Sequence, residues 1–280
     1  MLIQDWLTNS TKILAEAGIA TARLDAEIIL AHTIRKPRTY LHAHSDEPLE
    51  ERQQEVANAR IDLRLDRVPV AYIIGHKEFY GRKFKVTTAT LIPRPESEVL
   101  IEMVDEILQD AASLASLKLK PLRILDVGTG SGALGITIKC EHPDADILVT
   151  LLDKSRHALA VAKENAILLN ADATFVQSDL LKDYVYSSDI IVANLPYVDP
   201  SWPRSPETNY EPAEALFADN HGLALIYSLI LQTTNKLNRG GHLVIEADPV
   251  QHEPIKKLAK RHGLVLRSIK DYGISFNKIV

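Results

Sequence analysis

The chain is predicted to be an α/β protein in which a mostly parallel, seven-stranded sheet with helices on both faces follows a small all-helical domain and a β-hairpin connector. Three observations predict this. Apolar residues recur at helical spacing through the first 74 residues. Aromatic segments punctuated by glycine come next, and from Arg123 onward short apolar runs alternate with helical ones.

Residues 1–74 form the helical domain: Trp6, Leu7, Ile13, Leu14, Leu24, Ile28, Leu30 and Ile34 repeat on a helical period, broken by Gly18 and Pro37, and Glu50 to Arg67 reads as a further helix. Residues 75–92 form the connector, where Gly75 and Gly81 bracket Phe79-Tyr80 as in a hairpin. Residues 93–280 form the larger domain. It opens with a helix over Ser97–Leu108, and the stretch Asp110–Lys120 leads into the first buried strand. The strands expected are Arg123–Val127, Ile147–Leu152, Thr174–Gln177, Asp189–Ala193 and His242–Glu246, with helices at Leu134–Cys140 and Ala158–Leu169. Leu264–Ile269 and Ser275–Val280 close the sheet as a hairpin with one antiparallel strand.

The composition narrows the function. At 46% hydrophobic and 25% charged residues the 280-residue chain is an ordinary globular sequence. A net charge of −5 gives no general attraction to nucleic acid, so no direct nucleic-acid partner is expected. The single cysteine, Cys140, excludes an internal disulfide and a cysteine-based zinc site. No apolar run reaches the ~20 residues that cross a bilayer, and Asp5 interrupts the place of a signal peptide, so a cytoplasmic protein is expected. His42, His44 and Asp46 lack a second ligand cluster and are read as loop residues, so no metal is expected.

Two motifs carry chemistry. Gly128, Thr129, Gly130, Ser131 and Gly132 follow Asp126-Val127 where a strand turns into a helix, and such a loop lets a ligand lie against exposed backbone amides. Asp153 ends the next strand, where a carboxylate accepts ribose hydroxyls; Asp179 and Leu180 follow the third and are placed at an adenine edge and face. These features suit a dinucleotide or S-adenosyl-L-methionine equally. The second motif, Asn194-Leu195-Pro196-Tyr197, follows a nearly all-apolar strand. The Asn194 side-chain oxygen and the Leu195 carbonyl are two acceptors for the hydrogens of a planar amide or amino nitrogen, Pro196 stiffens the turn and Tyr197 can lie against the planar group. That grip suits methyl transfer from a sulfonium, because an amide nitrogen is a poor nucleophile and orientation must supply much of the rate.

Leu91-Ile92-Pro93-Arg94-Pro95-Glu96-Ser97-Glu98, the glycine loop and Asn194-Leu195-Pro196-Tyr197, in that order, resemble the HemK/PrmC family of protein-(glutamine-N5) methyltransferases. The likeness extends to Ala22-Arg23-Leu24-Asp25, Pro69 to Gly81, Tyr210-Glu211-Pro212 and Glu246 to Gln251. It implies a class I (Rossmann-like) methyltransferase domain that uses S-adenosyl-L-methionine to methylate the glutamine of the Gly-Gly-Gln motif in peptide chain release factors 1 and 2, with the helical domain docking the factor. It also implies cofactor contacts from Gly128 to Gly132, Asp153, Leu180 and Asn194, and a glutamine site at Asn194, Leu195, Pro196 and Tyr197 walled by the Arg94 segment; a monomer is expected. The family usually has proline at Leu195, threonine at Ser97 and an arginine near Ser275 to Lys278. The rival expectations are an amino-N6 methyltransferase acting on adenine in rRNA or DNA, which has a similar tetrapeptide, a nicotinamide-dependent dehydrogenase on the same glycine loop, and a non-catalytic adenosylmethionine binder.

Overall fold

The structure is a computed structural model describing residues 1–113 and 120–279, so part of the predicted Asp110–Lys120 link and the last residue of the predicted closing strand lie outside the described residues. The chain divides into two compact units, Met1–His76 with Arg204–Tyr210, and Lys77–Pro203 with Glu211–Val280.

The first unit is helical: α1 (Ile3–Glu16), α2 (Ala22–Ile34), α3 (Arg38–Ala43), α4 (Glu51–Leu65) and α5 (Val70–Ile74). Trp6, Leu7, Leu14, Ile29, Leu30 and Leu41 are buried among these helices, and the Trp6 indole donates to Asn58 Oδ1 at 2.8 Å. The same unit buries a charge cluster. Arg64, on α4, donates to Asp25 Oδ2 on α2 at 2.7 Å and to Glu207 Oε1 at 2.9 Å. The second bond fastens the segment Arg204–Tyr210, which Tyr210 also ties through its hydroxyl to the Asp66 carbonyl. His42 is helical rather than in a loop, with Nε2 3.7 Å from Glu27, and the His44 ring stacks on Tyr40.

The second unit takes up β1 (His76–Phe79) and β2 (Arg82–Lys85), whose turn residues Tyr80 and Gly81 both have positive φ, +49° and +70°, the geometry that matches a two-residue hairpin to strand twist. Two of the hairpin's cations pair with acids: Arg82 with Glu141 and Lys85 with Glu164. Next come α6 (Glu98–Ser113), preceded by a 3₁₀ turn at Pro95–Ser97, then β3 (Leu122–Val127), α7 (Ala133–Glu141), β4 (Ile147–Asp153), α8 (Arg156–Leu168), β5 (Thr174–Gln177) and β6 (Ser188–Ala193). The chain continues through α9 (Ala213–Leu216), α10 (Ala224–Lys236), β7 (Leu237–Glu246), α11 (His252–Arg261), β8 (Leu264–Lys270) and β9 (Gly273–Lys278).

The sheet is seven-stranded in the order β5-β4-β3-β6-β7-β9-β8, parallel except for β9, which pairs antiparallel with both neighbours. The chain builds outward from β3 to β4 and β5, then returns to place β6 on the other side of β3. That reversal opens a crevice at the C-terminal ends of β3 and β6, where open α/β sheets bind ligands. The central strands are apolar because both faces are covered: Ile124, Leu125, Ile191 and Val192 are fully buried.

Candidate active site

The two predicted motifs meet at this crevice because β3 and β6 are adjacent and parallel. The amides of Gly128 and Thr129 both donate to the Leu152 carbonyl at the end of β4, at 2.8 and 2.9 Å, which turns the loop over the sheet edge. Gly130, at φ +55°, would point an added Cβ into open space, so the loop presents bare backbone there. Gly128, at φ +72°, would bring a Cβ within 2.8 Å of Leu195 Cδ2, so glycine is what allows the loop to pass the tetrapeptide.

The acids at the strand ends differ in their surroundings. Asp126, on β3, is buried; its Oδ2 accepts from the Thr129 hydroxyl and the Gly135 amide, while Oδ1 has no partner. Burial pushes its pKa up to about 6 against the opposing effect of those bonds. Asp153 accepts from the Gly130 amide at 2.9 Å and the Ser155 amide at 2.8 Å, and burial raises its pKa despite both bonds. Asp179 is half exposed and pairs with Lys182; Leu180 beside it sits at φ +55°.

β6 delivers Asn194 to the crevice. Its Nδ2 donates to Ser97 Oγ at 2.8 Å, which leaves Oδ1 as the free acceptor. Leu195 is buried against the glycine loop. The Tyr197 hydroxyl donates to Glu246 Oε1 at 2.8 Å, and Gln251 Nε2 donates to the Tyr197 carbonyl at 2.8 Å. Burial and the Glu246 charge together push the Tyr197 phenol far up, and burial raises Glu246.

A cleft of about 1080 Å³, counted to its solvent mouth, is lined by Gly128, Thr129, Gly130, Ser131, Asp153, Asp179, Leu180, Asn194, Leu195 and Pro196. Three predicted site residues are not on its wall. Gly132 is the residue before α7, packed so tightly that a Cβ would meet Ile136 at 2.5 Å. Arg94 is held by the buried carboxylate of Glu211, and the Tyr197 hydroxyl is drawn to Glu246. Asp126, Ser97 and Glu214 are additions that the sequence reading did not assign to the cleft. Asp126 stands within the quoted glycine motif, and its position at the end of a buried strand was the available signal.

The lining carries four carboxylates, Asp126, Asp153, Asp179 and Glu214, and one lysine, Lys154, whose ammonium pairs with Glu214 at 3.0 Å. This charge balance fits a cationic ligand bearing ammonium and sulfonium groups together with ribose hydroxyls, and it opposes a pyrophosphate.

Comparison with known proteins agrees. The PrmC N-terminal domain family matches residues 5–75 and the methyltransferase small domain family matches residues 110–265. Among solved structures, the Thermus thermophilus 16S rRNA N2 G1207 methyltransferase in complex with AdoMet and guanosine superposes with a TM-score of 0.51 at 17% identity, covering 73% of this chain and 50% of that one, a likeness of fold. The release factor glutamine methyltransferase of Salmonella typhimurium is 35% identical, covering 98% of this chain and 96% of its own length. That of Escherichia coli is 33% identical with the same coverage of both. With that similarity running through both units, the chain belongs to the family of release factor glutamine methyltransferases.

Proposed function

We propose that this chain transfers a methyl group from S-adenosyl-L-methionine to the side-chain amide nitrogen (N5) of a release-factor glutamine. The observation that carries the reading is Asn194, which lines the cleft next to Leu195 and whose Nδ2 donates to Ser97, so that Oδ1 is the acceptor it has to offer. The acidic lining and the glycine loop support S-adenosyl-L-methionine as the cofactor, with Gly128 to Ser131, Asp153, Asp179 and Leu180 holding it. When bound, it supplies an electrophilic methyl on a sulfonium sulfur.

The chain's own residues supply orientation. Asn194 Oδ1 and the Leu195 carbonyl accept the two hydrogens of the glutamine amide, keep it planar and leave one face of the nitrogen open. Pro196 fixes the turn between them. The amide proton becomes acidic once the nitrogen is alkylated, so the cleft needs no strong base.

The substrates are the Gly-Gly-Gln glutamines of release factors 1 and 2, with residues 1–74 as the docking domain, 75–92 as the connector and 93–280 as the catalytic domain, acting as a cytoplasmic monomer without nucleic acid. The relatives' names support a release factor over an adenine in RNA or DNA. Incubation with labelled cofactor and either a release factor or ribosomal RNA separates the readings: label enters the factor alone, and label in RNA with an unlabelled factor would overturn the proposal.

A further inference from the structure

Asn194 presents an acceptor only while its amide is oriented with the oxygen toward the cleft, and an amide side chain in a polar site is free to turn over. What prevents this lies outside the tetrapeptide. Ser97, from the turn before α6, and Glu246, from the end of β7, are 3% and 1% exposed. The Asn194 amide donates to Ser97 Oγ at 2.8 Å. A hydroxyl has a single hydrogen to give, and the acceptor beside Ser97 is the Glu246 carboxylate, whose charged form Ser97 and Asn194 both favour. Glu246 takes a donor at Oε1 from the Tyr197 hydroxyl, and its Oε2 is buried with no hydrogen bond among the described residues.

We infer that Glu246 and Ser97 are positioning residues that set the polarity of the acceptor site, the buried carboxylate being an end point that accepts only and thereby fixes the direction of every hydrogen bond back to Asn194. Ser97 is forced to accept from Asn194, so the Asn194 oxygen faces the substrate. The same carboxylate anchors Tyr197, and both ends of the tetrapeptide answer to one buried group. Threonine at position 97 would preserve the arrangement, whereas alanine would remove it. Glu246→Gln keeps the shape but adds two hydrogens to a group surrounded by donors, so the chain of bonds has no consistent direction until Asn194 turns its NH₂ outward.

The inference rests on Asn194 gripping the substrate amide, and the wild-type control keeps the two apart: a wild-type protein that methylates no release factor fails the functional reading first. With that control positive, steady-state kinetics on Ser97→Ala, Ser97→Thr, Glu246→Gln and the Ser97→Ala/Glu246→Gln double variant are measured together with cofactor affinity by calorimetry. Ser97→Ala and Glu246→Gln should each lower kcat by about 10²-fold, with cofactor Kd within about threefold, since misplacing a reacting group costs on that order. Ser97→Thr should restore turnover to within a few fold. The double variant should lose no more than the worse single one, because both act through the same amide. A Ser97→Ala protein with wild-type kcat, or losses in the two variants that multiply, would overturn the assignment. If Glu246→Gln does not fold, the alanine and threonine pair at position 97 decides alone.

Discussion

At the residue scale, function is concentrated in side chains whose partners leave one atom free. Asn194 is the clearest: Nδ2 donates to Ser97, and the proposed grip on the substrate amide falls to Oδ1. Asn194→Ala should leave cofactor affinity within a few fold and cut methyl transfer by about 10² or more, and unchanged turnover would remove it from the mechanism. Asp126 makes a different prediction. Burial holds its folded-state pKa at about 6, above the ordinary 3.8, so between those values the native protein keeps a proton that the unfolded chain has released. Its contribution to stability is therefore full below about pH 4 and is lost as pH rises through 6, an upper bound of about 3 kcal/mol. Asp153 and Glu246 are pushed the same way. Urea denaturation of the ligand-free protein should show stability falling from pH 4 to 7, and Asp126→Asn should flatten that fall; an unchanged slope would contradict the assignment. Asn194 could be read from sequence because it stands next to an apolar strand and a proline. Its partners could not, since Ser97 and Glu246 are far from it in the chain and only the sheet order brings them together.

At the scale of elements, the parallel strands were legible because burial on both faces leaves near-continuous apolar runs such as Ile190-Ile191-Val192. β7 was read short, from His242, because Asn238-Arg239-Gly240-Gly241 looks like a turn. The structure continues the strand back to Leu237 and absorbs the polar residues in an irregular register against Ser188 and Ile190. α10 and α11 went unread. α11 carries Pro254 in its first turn, which a helix tolerates because that amide has no intrahelical partner. In the helical unit, the tie between α2, α4 and Arg204–Tyr210 converges on Arg64, whose Nη1 is already buried without a partner. Asp25→Ala would leave that guanidinium buried with Glu207 alone, and should cost about 3 kcal/mol in chemical denaturation. A loss below about 0.5 kcal/mol would mean that the pair is incidental.

At the scale of the whole molecule, the reversal of strand order between β3 and β6 makes one site out of segments more than sixty residues apart in sequence, Gly128 to Gly132 and Asn194 to Tyr197. The glycine loop by itself left the cofactor open; the four carboxylates that the fold gathers around it supply the electrostatic argument for a cationic ligand. The most direct test of the central claim is tandem mass spectrometry of a release factor incubated with this protein and S-adenosyl-L-methionine. A single added methyl on the Gly-Gly-Gln glutamine, absent with the Asn194→Ala protein, is the expected result. A methyl on any other residue, or none on the factor, would contradict it.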